Sequence, residues 1–167
     1  MRGAVMEGAM KILILNGPGL DDLRRLDSSF DKELTLAHIE TACGALCAKY
    51  AIDMTFRQGN VVNELFDWIG RNASEFDALI INPIGYYSYE AYEKFEEYRS
   101  AIKVLAHLKK PVVEVHISNI FRHGADLIEP LREPDAQIGF ISGLGLHSYL
   151  LAIESIAQKF NLQGKAS

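Results

Sequence analysis

PVVEVHISN, Pro111 to Asn119, packs valines into a few residues, begins at a proline and ends in polar groups. A short apolar run of this kind, bounded by a breaker, fits a strand covered on both faces. Four more such runs share the chain with it: Lys11 to Leu15, Ile52 to Phe56, Ala78 to Ile81 and Gln137 to Ile141. Longer stretches of helical period separate them. Leu36, Ile39, Cys43, Leu46, Cys47 and Tyr50 recur at three- and four-residue steps, with Thr35 available as a cap. Further helices are expected over about Val61 to Arg71, Tyr89 to Leu108 and Leu146 to Phe160. This alternation predicts an α/β fold, a flavodoxin-like doubly wound five-stranded parallel sheet with helices on both faces.

The 167 residues suffice for one core, with 49% hydrophobic and 23% charged residues. Residues 10–167 are read as a single domain. Met1 to Ala9 are read as an N-terminal extension or a remnant outside the fold. The net charge of −5 argues against a nucleic-acid partner. No run approaches about 18 consecutive apolar residues, which argues against a membrane span. Cys43 and Cys47 lie four apart on one helix without zinc-ligand spacing to other Cys or His residues. They read as buried small hydrophobes in a reducing cytoplasm.

Two segments break the alternation: Gly17 to Glu33 after the first strand and Ile117 to Ala136 after the fourth. Loops this long tend to be functional, and both leave carboxyl ends of strands, where open parallel sheets bind ligands. The polar residues collected there are Asn16, Arg57, Gln58, Asn60, Asn82, Glu114, His116, Ser118, Asn119 and Ser142. Glu114 and His116 are separated by one residue, so both point to the same face of the strand. A carboxylate beside an imidazole fixes its tautomer and favours the imidazolium, which suits a general acid near neutral pH. The N–H groups of Ile117 and Ser118, leaving the same strand end, can aim at an anion. NGPG, Asn16 to Gly19, lacks both the P-loop lysine and the three-glycine dinucleotide fingerprint, so nucleotide binding is not expected.

ILNGPGL, FRQGN followed by ELFDWI, IINP, VEVHISN and GLGLHSYLLAIE occur in the order and nearly the spacing of type II 3-dehydroquinate dehydratases. The resemblance runs from Met10 to about Ala157. It implies removal of water from 3-dehydroquinate by anti elimination through an enolate, with no metal or organic cofactor. His116 then matches the histidine acid, Glu114 its orienting glutamate, Asn82 the asparagine of the third strand end, and Ile117 with Ser118 the carboxylate-binding amides. Asn16 opens the first motif, but the family's second asparagine is Gly19 here. An ungapped continuation puts the family's tyrosine base on Asp31 and its arginine on Leu26, and a slip of one residue puts Arg25 in the arginine slot. No tyrosine precedes Tyr50. Asp31, or one of Tyr86, Tyr87 and Tyr89, is therefore the candidate base.

After Asn82, Ile84 to Ser88 replaces the small and polar residues usual in the family, which makes Tyr86 and Ser88 candidate substrate contacts, together with His123 in the second long loop. Lys109 and Lys110 read as a solvated helix end. The resemblance also implies a homo-oligomer built from trimers, extending to dodecamers, and a small carboxylate as the molecular partner. A related enzyme on another small carboxylate, or a ligand-sensing relative without turnover, are the alternatives that the exchanged loop leaves open.

Overall fold

The computed structural model describes residues 8–23, 34–83, 109–121 and 138–164. The elements in chain order are β1 (Lys11–Asn16), α1 (Leu36–Lys49), β2 (Asp53–Gln58), α2 (Val62–Asn72), β3 (Ala78–Asn82), β4 (Val112–His116), β5 (Ile138–Ser142) and α3 (His147–Lys159). The strands form one sheet in the order β2-β1-β3-β4-β5, every neighbouring pair parallel. This is the doubly wound sheet expected from the alternating runs, and each observed strand reaches one or two residues beyond its expected end. The extension follows from pairing: Asn16 lies between Gln58 and Asn82, and His116 opposite Ser142, so polar residues continue the ladder that apolar ones begin.

Strand parity divides the core in two. Ile12, Ile14, Ala78, Ile80, Val113 and Val115 pack with Ile39, Cys43 and Cys47 of α1 and with Tyr149, Ile153 and Ile156 of α3. Leu13, Leu15, Leu79, Ile81 and Val112 meet Leu65 and Ile69 of α2, with Trp68 half-buried beside them. Each central strand is therefore apolar at successive positions, whereas the edge strands β2 and β5 carry exposed ones. The hydroxyl of Thr35 accepts the His38 N–H at 3.2 Å, the expected N-cap of α1. The helix expected over Tyr89 to Leu108 lies outside the described residues.

The thiols of Cys43 and Cys47 are fully enclosed between α1 and the sheet. Burial pushes both up to about 12, with the neighbouring Cys47 adding to the effect on Cys43. The unfolded chain releases these protons from its ordinary value of 9.0, so the folded state binds more protons over that interval. Stability conferred by the neutral thiols is complete below that value and falls as pH rises from 9 toward 12. Urea unfolding at stepped pH is expected to show this alkaline decline, with Cys43→Ala and Cys47→Ala each flattening it by on the order of 1 kcal/mol per pH unit. An unchanged slope in both variants contradicts the expectation.

Lys110 departs from the solvated helix end expected of it. Its ammonium donates to the carbonyls of Ala73 at 2.9 Å and Ser74 at 3.0 Å, and also to that of Phe76. These carbonyls belong to the 3-10 turn Ala73–Glu75 that follows α2 and to the residue after it, where the negative end of the backbone dipoles attracts a cation. The pattern was missed because two adjacent lysines look alike in sequence, while only the second reaches back to the turn. Lys110→Met is expected to lower unfolding stability by about 1–2 kcal/mol, and Lys109→Met by much less, as read from urea midpoints.

Candidate active site

The chain leaves β1 for β2 on one side and returns from β2 to β3 on the other, so the winding reverses between β1 and β3. The crevice at such a reversal, beyond the carboxyl ends of the strands, is where open α/β sheets take their ligands. Asn16 and Asn82 end the two strands that flank it, side by side in register and both buried. Gly17 crosses directly over β3, its N–H donating to the Asn82 carbonyl at 2.8 Å.

Both asparagines belong to one chain of hydrogen bonds. Asn82 Nδ2 donates to the Tyr149 hydroxyl at 2.7 Å, and that hydroxyl donates to Asn16 Oδ1 at 2.7 Å. Asn16 Nδ2 donates in turn to the Arg57 carbonyl at 3.2 Å. Burial drives the Tyr149 hydroxyl far above the usual phenol range, against the smaller opposing effect of the Asn82 bond, so it stays neutral. Tyr149 falls within the helix expected over Leu146 to Phe160, but sequence reading missed this link. The available signal was a phenol on an aliphatic helix face, since a buried tyrosine hydroxyl almost always has a polar partner.

Glu114 and His116 do pair: His116 Nε2 and Glu114 Oε1 are 2.6 Å apart and both side chains are buried. With Glu114 as a carboxylate, which only accepts, the hydrogen of this contact sits on Nε2 and Nδ1 is the nitrogen that can exchange a proton. The His116 ring is tilted against Phe140 with centroids 5.8 Å apart, and Phe140 in turn meets Phe121 at 6.0 Å. By strand parity this pair lies on the α2 face, whereas the Asn16–Tyr149–Asn82 chain lies on the α1 and α3 face. The polar residues expected as one set are thus two groups, sharing the rim of the sheet but parted by its backbone.

The segment after His116 is held by its carbonyls. Gly143 N–H at 3.2 Å and Ser148 Oγ at 2.9 Å bind the His116 carbonyl, and Gly145 N–H binds that of Ile117 at 2.9 Å. The Ser142 hydroxyl donates to the Ser118 carbonyl at 3.1 Å and accepts the Ile120 N–H at 3.3 Å. Across a trans peptide the N–H points opposite to the carbonyl. Two successive carbonyls taken by the 143–148 segment therefore turn the N–H groups of Ile117 and Ser118 away from that segment together. Ser148, buried in the first turn of α3, went unnoticed in the sequence, because a serine at a helix start reads as an ordinary cap.

Gln58 and Asn60, also expected at the rim, hold the loop after β1. Asn60 accepts the Gly19 N–H at 3.0 Å and the Gln58 amide at 2.8 Å, and donates to Asp21 at 2.9 Å. Arg57 is exposed, with its guanidinium 4.5 Å from the centre of the Trp68 ring. Asp31, Arg25, Tyr86, Ser88 and His123 lie outside the described residues, as do Tyr87 and Tyr89. Among the described residues no three His, Cys, Asp or Glu side chains are grouped to hold a metal ion, and no helix is long and apolar enough to cross a membrane.

The family described as dehydroquinase class II matches residues 10–157 of this chain. The chain belongs to the type II dehydroquinase family. It is 34% identical to the 3-dehydroquinate dehydratase of Anoxybacillus flavithermus, over 93% of this chain and 99% of that protein. It is 37% identical to the 3-dehydroquinate dehydratase of Deinococcus radiodurans, over 88% of this chain and 97% of that one. The crystal structure of the type II dehydroquinase from Propionibacterium acnes superposes with a TM-score of 0.66 at 27% identity, covering 92% of this chain and 99% of that chain. Membership of the dehydroquinase family accounts for the five-stranded parallel sheet and for the order in which its strand-end motifs occur.

Proposed function

We propose that this chain is a carbon–oxygen lyase that removes water from 3-dehydroquinate to give 3-dehydroshikimate through an enolate, as the names of its relatives indicate. The buried His116–Glu114 pair, followed at once by two amides turned to one side, is the observation that carries the reading. The Ile117 and Ser118 N–H groups hold the substrate carboxylate. A base takes the proton next to the ketone and the enolate forms. His116 then delivers a proton from Nδ1 to the departing hydroxyl, which leaves as water, while Glu114 keeps the ring in position. Asn16 and Asn82 flank the substrate from the switch point.

The chain departs from its family at the base. The slots of the usual tyrosine and arginine hold Asp31 and Leu26, or Arg25 after a one-residue slip, and Gly19 stands in the first motif. Asp31 is proposed as the base, with Arg25, Tyr86, Ser88 and His123 as substrate contacts. Tyr149 is no substitute, since its hydroxyl is neutral, enclosed and engaged on both sides. Residues 10–157, matched by the family, fit a single domain that continues to the end of the chain, with residues 1–9 as an extension. A cytoplasmic enzyme assembled from trimers, up to a dodecamer, completes the reading.

Turnover is followed by the absorbance of the conjugated enone product, with His116→Ala as control. Activity above that control supports the dehydratase. Absence of activity combined with retained binding of shikimate-like carboxylates transfers the site to another small carboxylate or to a sensor.

A further inference from the structure

We propose that Tyr149 is a positioning residue for the reaction, its hydroxyl setting the orientation of the Asn16 and Asn82 amides at the switch point. The inference deepens the proposed dehydratase and rests on that reading for its kinetic part. A phenol hydroxyl has one hydrogen. Here it goes to Asn16 Oδ1 at 2.7 Å, so the bond from Asn82, also 2.7 Å, must come from the Asn82 NH₂ group. The order is reinforced at its far end, where the Arg57 carbonyl can only accept and so requires Asn16 to present its NH₂. Each amide is thereby locked against a flip that would exchange its oxygen and nitrogen. The NH₂ of Asn82 faces the core, and its carbonyl oxygen is turned from Tyr149. The hydroxyl spans two strands from the first turn of a helix, and all three side chains are buried, so water offers little replacement for a lost bond.

Tyr149→Phe keeps the ring and removes both bonds. In the full-length chain kcat is expected to fall about tenfold with KM within about twofold. Because Tyr149 acts through the asparagine, Tyr149→Phe combined with Asn82→Ala is expected to lose no more kcat than Asn82→Ala alone. Fully additive losses, or a kcat that falls only in proportion to the folded fraction, overturn the proposal. If Tyr149→Phe does not fold, hydrogen exchange of the Asn16 and Asn82 side-chain NH₂ groups in the unaltered protein decides, slowed exchange supporting the locked amides and exchange at the rate of a free amide overturning them. A separate readout is the side-chain NH₂ signals of the two asparagines in nitrogen–proton NMR spectra. Their displacement in Tyr149→Phe supports the locked amides and unmoved signals overturn them. If the unaltered protein does not turn over 3-dehydroquinate, the dehydratase reading fails alone and these signals decide the positioning claim.

Discussion

His116→Ala is expected to lower kcat/KM for 3-dehydroquinate by about 10²- to 10⁴-fold, the span that one positioned acid supplies. The imidazole sits at the end of a central strand, fixed by a carboxylate at 2.6 Å and by the Phe140 ring, so no other described side chain can move into its place without rebuilding the rim. Removing it also takes from the buried Glu114 its charge-assisted partner, and part of any loss could then be folding rather than chemistry. Glu114→Gln separates the two. It keeps an oxygen that can accept from Nε2 but gives up the charge that strengthens this contact, and a smaller loss, about 10- to 100-fold in kcat with KM little changed, is expected. Equal activity in His116→Ala and the parent, measured on folded protein, removes His116 from the mechanism.

Gly17→Ala is expected to cost about 3 kcal/mol or more of stability, a severe loss for a single added methyl. A Cβ at this position runs into the carbonyl oxygen of Pro83 and lies 2.6 Å from its carbonyl carbon. These are backbone atoms of β3's exit, which cannot rotate aside as a flexible side chain would. Relief requires β1 and β3 to part at their carboxyl ends, breaking the Gly17 N–H bond to Asn82 and stretching the two bonds of Tyr149. The urea midpoint should fall sharply, and the surviving folded fraction should turn over more slowly than the parent. Gly70→Ala is the control, since its added methyl meets nothing within 4 Å and removes a glycine from a helix interior. A Gly17→Ala midpoint equal to that of the control contradicts the argument.

Much of this arrangement is legible from residues alone. Buried parallel strands announce themselves as runs of Ile, Leu and Val. Spacing by two places Glu114 and His116 on one face, and the geometry bears that pairing out. Parity, applied to every strand rather than to β4 alone, also shows that Asn16 and Asn82 face the opposite side, because each continues the alternation of Ile12 and Ile14 or of Ala78 and Ile80. What the sequence hides is long-range polar pairing. Tyr149 reaches Asn16 across 133 positions and Lys110 reaches Ala73 across 37, and neither partner carries a local pattern that names the other. Gln58 and Asn60 were legible as rim residues, yet their work of tying down the turn after β1 depends on strand order, which becomes visible only when β2 lies beside β1.

The sealed thiols of α1 have a practical corollary. The chain has two cysteines in all, and both are enclosed in the same core. A cysteine introduced at exposed Gly70, where a side chain meets open space, becomes the single sulfhydryl within reach of a maleimide dye or a nitroxide. Such a probe reports on the molecule without first stripping the native residues from the core, so labelling, distance measurement and assembly state can all be read on an otherwise unaltered protein.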